Sequence, residues 1–163
     1  MTGPSIDNRV PELTRWPSAV LRWLFVLLLA ASATGKLADM NGFHEIVRTY
    51  RTLPSTWVPM ASWLLVFTEV LLSFALAFAP TILSRFGRAA GLTALLQGRF
   101  AAVFGLHLLY LAWLTRALIS GYSIPNCGCF GVYWARPLSI YTLVEDLVLL
   151  IMAGWLWWAR ART

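Results

Sequence analysis

Charge is what this chain has least of. Only 12% of its 163 residues are charged, against about 25% in a soluble domain, while 59% are hydrophobic. So few charges cannot cover the surface of a small water-soluble globule, which excludes a soluble enzyme. The apolar content excludes intrinsic disorder. Cysteine is also scarce: two residues cannot build the disulfide framework of a small secreted domain. Lysine is scarcer still. Lys36 stands alone, and 12 of the 13 basic residues are arginine. These arginines lie singly between apolar runs, so nucleic acid is not an expected partner. The net charge of +6 bears instead on topology and on contact with anionic membrane lipid.

Long apolar runs are abundant, and at roughly 20 residues per span the chain accommodates four. The expected class is an all-α integral membrane protein, a four-helix transmembrane bundle with a short amphipathic helix after the first span. Residues 1–18, with Pro4, Pro11 and Pro17, read as a cytoplasmic tail. The membrane domain covers 19–159, with spans near 19–35, 58–79, 89–115 and 138–158, and residues 116–137 form an extracytoplasmic loop. Ala31-Ser32-Ala33 resembles a signal-peptide cleavage site. The leader before it is unusually long, and three hydrophobic segments follow, so the chain is membrane-embedded either way.

After the first span, Phe43, Ile46, Val47 and Tyr50 recur at i, i+3, i+4, i+7, one face of a helix. Asn41 is the expected N-cap and Pro54 the stop. Trp16, Trp57, Trp134, Trp157 and Trp158 stand near span ends, as in an aromatic belt. An even number of spans puts both termini on one side. Arg9, Arg15, Arg22, Arg85, Arg88, Arg160 and Arg162 fall there, against Lys36, Arg48, Arg51, Arg116 and Arg136 opposite. The positive-inside rule then makes the termini cytoplasmic and turns the amphipathic helix and the cysteine loop outward.

Cys127-Gly128-Cys129 is the first candidate site. A structural metal needs about four ligands, and no further Cys or His is near in sequence, so no metal is expected. A disulfide staple is a second reading, and a pair of reduced thiols buried by packing a third. Closing three residues constrains the unfolded chain by only about 1.6 kcal/mol, and a bridge from i to i+2 is strained and more reducible. A staple here would be weak and labile, which suits thiol–disulfide exchange, an oxidoreductase chemistry with Cys127 and Cys129 as the reacting residues. Gly128 lets the backbone turn tightly enough for the sulfurs to meet.

Charges within spans are costly and mark candidate function. Glu69 lies ten residues before Ala79 and Arg99 eleven after Arg88. Across a short turn both would sit about 15 Å deep, so an ion pair between them is expected. It would be a packing device, a proton relay or a polar grip on a quinone headgroup. His107, about 12 Å further towards the cysteine loop, is a packing residue or a proton carrier. Glu145 and Asp146 open the last span, where carboxylates are expected as a solvated helix start. Lys36 ends the first span on the same side and is placed to pair with either.

These residues resemble a known family. Gly35-Lys36-Leu37, then Phe43, Tyr50, Leu53 and Pro54, is similar to the first loop of the methylamine-utilisation MauE family, one of the DoxX-like four-helix membrane proteins. Glu69 matches an acidic residue of that family's second helix, Cys127-Gly128-Cys129-Phe130-Gly131 matches its CGCFG signature, and Pro137-Leu138-Ser139 fits before the last span. The resemblance covers about residues 16–158. It implies a bacterial cytoplasmic (inner) membrane protein for redox maturation of exported proteins, with a thioredoxin-like or exported cysteine-containing partner outside the cytoplasm. Family members often carry a basic residue where this chain has Glu145-Asp146, which departs from any partner or cofactor contact there. A membrane quinone is an electron partner that the sequence admits without demanding. Two further readings are a small-solute or proton transporter using Glu69, Arg99 and His107, and a non-catalytic assembly subunit of a membrane complex.

Overall fold

In a computed structural model, residues 15–86 and 90–161 are described. Among them the chain forms five helices and no strand: α1 (Arg15–Leu37), α2 (Met40–Thr49), α3 (Val58–Phe86), α4 (Ala90–Ile119) and α5 (Ile140–Ala161). Most of the expected tail, up to residue 14, lies outside the described residues, as do 87–89. Four helices contain stretches long and apolar enough to cross a bilayer, Trp16–Leu37, Val58–Ala79, Gly98–Ile119 and Ile140–Ala159. α1 packs chiefly along α3 and α4 along α5. Outward rows such as Leu64, Phe67, Leu71, Phe74 and Phe78 on α3 stay exposed. That is the surface a bilayer solvates, because lipid tails are as apolar as these side chains.

One half of the bundle is filled by Phe25, Leu29, Leu72, Leu76, Phe100, Val103, Leu106, Ala153 and Leu156. The other half is capped by α2 and by the loop after α4. The expected apolar face of α2 does point inward: Phe43 packs with Ala33 and Val66, and Ile46 and Tyr50 with Leu114, Ala117 and Cys127. Its cap differs from the expectation. Asp39, not Asn41, is the N-cap, its Oδ1 accepting the Gly42 N–H at 2.8 Å, as a short carboxylate does best from just outside the first turn. The helix also stops before Pro54. Tyr50 closes it, and Arg51 follows at φ +49 in the left-handed region, which ends a helix at the next residue.

α3 does not close at Pro80 but runs on to Phe86. A proline inside a transmembrane helix is tolerated where neighbouring helices re-satisfy the freed backbone group. This extension displaces the depth registers of α3 and α4, with consequences for the charged residues.

Candidate redox site

The loop of residues 120–139 is irregular but pinned. Cys127 N–H donates to Arg136 O at 2.7 Å and Leu138 N–H to Ile124 O at 3.0 Å, two rungs that close its neck. Asn126 organises the tip: its Oδ1 accepts the Gly128 N–H at 2.9 Å, and its Nδ2 donates to Gly131 O at 3.1 Å. Gly128 adopts φ +76, a conformation open to glycine at little cost, and a Cβ there would meet Ile46 Cγ2 at 2.9 Å. The tip touches α1 backbone to backbone at Gly35 and Gly131. A Cβ on Gly35 would lie 2.2 Å from Phe130 O, and one on Gly131 2.1 Å from Gly35 O. Only this glycine pair lets the cysteine turn seat so low on the helix ends.

The turn brings Cys127 Sγ to 2.9 Å from Cys129 Sγ, with both thiols reduced. Cys127 is buried and Cys129 half-buried, covered by Phe43 and Ile46 of α2 and by Tyr50 at its C-cap. The two thiols are not equivalent. The hydrogen bond from the Cys129 thiol, aided by the Cys129 backbone N–H and the Arg136 guanidinium and opposed by burial, holds the Cys127 thiol down at about 6. That same bond, together with burial, pushes the Cys129 thiol well above the ordinary range. Tyr50 donates its hydroxyl proton to Cys127 O at 2.7 Å. Burial, then the negative charge of the cysteine pair, raises this phenol far above its usual range, so it stays a donor.

Beneath the thiols lies a buried polar cluster. Glu69 and Lys36 are 0% and 1% exposed, and Lys36 Nζ lies 2.5 Å from Glu69 Oε1. The same oxygen accepts from the Tyr110 hydroxyl. Ser32 Oγ accepts from Lys36 Nζ at 2.8 Å and lies 2.8 Å from Glu69 Oε1 and 2.6 Å from Cys129 O. A hydroxyl has one proton to give, so Ser32 can bond either the carboxylate or the cysteine backbone. This joins the ion pair to the cysteine turn.

The expected Glu69–Arg99 pair is not formed. Because α3 continues to Phe86, Glu69 stands 17 residues from its end, about 25 Å, while Arg99 stands nine residues into α4, about 14 Å. Arg99 belongs to the opposite half, its guanidinium over the Phe100 ring at 4.3 Å from the centroid. Lys36 likewise pairs with neither Glu145 nor Asp146. Glu145 binds Arg136 at 2.7 Å on the surface, whereas Asp146 is 9% exposed and so is not the solvated helix start that its position suggested. His107 is buried, Nδ1 donating to Val103 O at 2.9 Å, its ring edge-on to Phe25 at 5.2 Å.

A cavity of about 180 Å³ connects these groups; Cys127, Cys129, Lys36, Glu69, His107 and Asp146 all border it. Ser32, Tyr110, Asn126 and Arg136 escaped the sequence reading. Two had a signal in helical spacing, Ser32 four residues before Lys36 and Tyr110 three after His107, which puts each on its neighbour's face. Among the described residues, no group of three or more His, Cys, Asp and Glu could hold a metal ion.

The model of the family described as methylamine utilisation protein MauE matches residues 14–159, a stretch that contains every element of this site. The chain belongs to the MauE family. A curated relative, methylamine utilization protein MauE of Paracoccus denitrificans, is 27% identical over 147 residues, covering 90% of this chain and 70% of the relative. No solved structure matches the chain. In this MauE-family member the CGCFG turn, the Gly35 contact and the Lys36–Glu69 pair form one assembly at one end of a four-span membrane bundle.

Proposed function

We propose that this chain is a membrane thiol–disulfide exchange protein that supports disulfide formation or maturation of exported proteins through Cys127 and Cys129. The observation that carries the reading is the asymmetric pair: two reduced thiols 2.9 Å apart, one held near 6 and its neighbour raised. In the oxidised state, a partner thiolate attacks Sγ of Cys129, the more exposed of the two. The S–S bond breaks, and Cys127 leaves as the stabilised thiolate, because a thiol of lower pKa leaves faster. The partner's second thiolate then attacks its own sulfur in the mixed disulfide. The partner gains a disulfide, and Cys127 and Cys129 become the dithiol. The partner is a thioredoxin-like or exported cysteine-containing protein. Methylamine utilization, for which the relative is named, is the proposed setting, the client being chosen by its cysteines rather than by any small substrate.

The proposed location is a bacterial inner membrane, with cytoplasmic termini and the cysteine turn outside. Burial of Lys36 against Glu69 supports this orientation, since it removes one free positive charge from the loop side. Ser123 is exposed on that loop. Ser123→Cys in a chain without Cys127 and Cys129 should react with an impermeant thiol reagent in intact cells. Reaction only after permeabilisation would reverse the topology. The function itself is tested by single-cysteine variants. Cys127→Ser should accumulate a mixed disulfide with an exported cysteine-containing protein, and Cys129→Ser should do the same from the opposite direction. Full function with both cysteines replaced would favour a transporter built on the Lys36–Glu69 cluster.

A further inference from the structure

The thiols border a cavity that reaches down into the membrane half of the molecule, and its chemistry is divided. Its lower walls are aliphatic, with Leu28 and Leu29 from α1, Leu65 from α3 and Leu149 from α5. The half-exposed Leu109 of α4, also in the wall, puts it beside lipid. The upper end carries the sulfurs, the Tyr110 hydroxyl and the Lys36–Glu69 pair. Two acceptors at this cavity are buried without a hydrogen-bond partner, Glu69 Oε2 and Asp146 Oδ2. An orphaned carboxylate oxygen in a dry site is costly, and a ligand with hydroxyl protons satisfies it. A space of about 180 Å³ exceeds the roughly 150 Å³ apolar cavity that holds a benzene ring.

We propose that this cavity is the binding site of a membrane quinone, which reoxidises the Cys127–Cys129 dithiol. This inference rests on the exchange function proposed above. A dithiol that becomes a disulfide gives up two electrons and two protons. In hydrocarbon, the acceptor must be apolar, small-headed and able to take both electrons and both protons, which defines a quinone. The Cys129 S–H bond breaks, the Cys127 thiolate Sγ and Cys129 Sγ join, and the quinone becomes the quinol by gaining two O–H bonds, one proton coming from Cys129 and the other from solvent, to which Cys127 gave up its own on ionising. Lys36, with one N–H left beyond those given to Glu69 and Ser32, supplies the donor for a quinone carbonyl, and Glu69 Oε2 and Asp146 Oδ2 supply acceptors for the quinol hydroxyls. The enclosed position of the thiols, with Cys127 buried, favours a small reactant inside the bundle for this half of the cycle.

The test uses the reduced full-length protein in detergent with decylubiquinone, whose fully substituted ring blocks thiol addition. One quinone should be reduced per protein as the cysteines bridge, followed by ultraviolet absorbance and by alkylation mass shift. Leu149→Trp fills the cavity and should slow this oxidation about tenfold or more, while bridging driven by glutathione disulfide stays unchanged. A second measurement needs no turnover. Decylubiquinone should raise the melting temperature of the Cys127→Ser/Cys129→Ser chain in a concentration-dependent way, and Leu149→Trp should abolish the rise. Bridging by glutathione disulfide without oxidation by quinone overturns the quinone site and leaves the exchange reading standing. Failure to bridge with either oxidant overturns both.

Discussion

The two halves of the bundle are built from the same four long helices and differ in what fills them. The half around Leu76, Phe100 and Leu156 is filled mainly by apolar side chains, to be judged by shape and volume, with Arg99 against Phe100 and Ser73 on Val26 O among its buried polar groups. The half under the cysteine turn holds an ion pair, a shared hydroxyl, two orphaned carboxylate oxygens and a cavity. Polar groups inside a bilayer-spanning bundle are expensive and do not accumulate for stability alone. The contrast teaches that one half is held together by apolar packing and the other by buried polar contacts around a cavity. Ser32, bonded towards both Glu69 and Cys129 O, is where the charged cluster meets the cysteine turn.

The sharpest way to break this contrast is to unpair the charges. Glu69→Gln or Lys36→Met alone should cost about 3–5 kcal/mol, and the double replacement by apolar residues should cost less. Unfolding titrations in mixed micelles measure this. Arg99→Met should add independently to Glu69→Gln, since the two side chains lie in different halves. Leu76→Ala, at 0% exposure in the apolar-packed half, should cost about 2–5 kcal/mol yet leave the reduction potential of the thiols unmoved, as a glutathione redox titration would show.

Glycines sharpen the comparison next. Gly35→Ala drives a methyl into Phe130 O and should cost about 1–3 kcal/mol, with loss of Cys127–Cys129 bridging as the turn lifts. Gly105→Ala on α4, where a Cβ meets nothing within 4 Å, should stabilise by about 0.5–1 kcal/mol. Gly128→Val should hinder bridging through both its φ of +76 and its contact with Ile46.

Acidity gives a subtler effect. With Cys127 held near 6, its alkylation rate should rise through pH 6 rather than near the ordinary thiol value of about 8.5. The folded-state pKa is lowered, so the associated stability of the dithiol form is fully present above about 8.5 and is lost as pH falls through about 6. Arg136→Gln should move the alkylation midpoint upward. Glu45→Gln, which removes the exposed pair with Arg48, should change stability by less than about 1 kcal/mol.

Much of this was legible in the chain itself. Sparse charge and four apolar runs determined a membrane bundle, because no other solvent suits that composition. The period of Phe43, Ile46, Val47 and Tyr50 determined the amphipathic helix and which residues share its apolar face, and the CGCFG motif marked the cysteine turn and the family. Local rules reach that far because each depends on residues a few positions apart. Partners across the bundle depend on where helices end. The second apolar run ends near residue 79, and α3 runs on past it to Phe86. That extension moves Glu69 out of register with Arg99, and the packing of α1 along α3 sets it instead against Lys36, 33 residues away in sequence. The unequal acidity of the two thiols was equally invisible. It arises from a turn seated on Gly35, the Arg136 guanidinium at the loop's neck and burial under α2, which only the folded chain brings together.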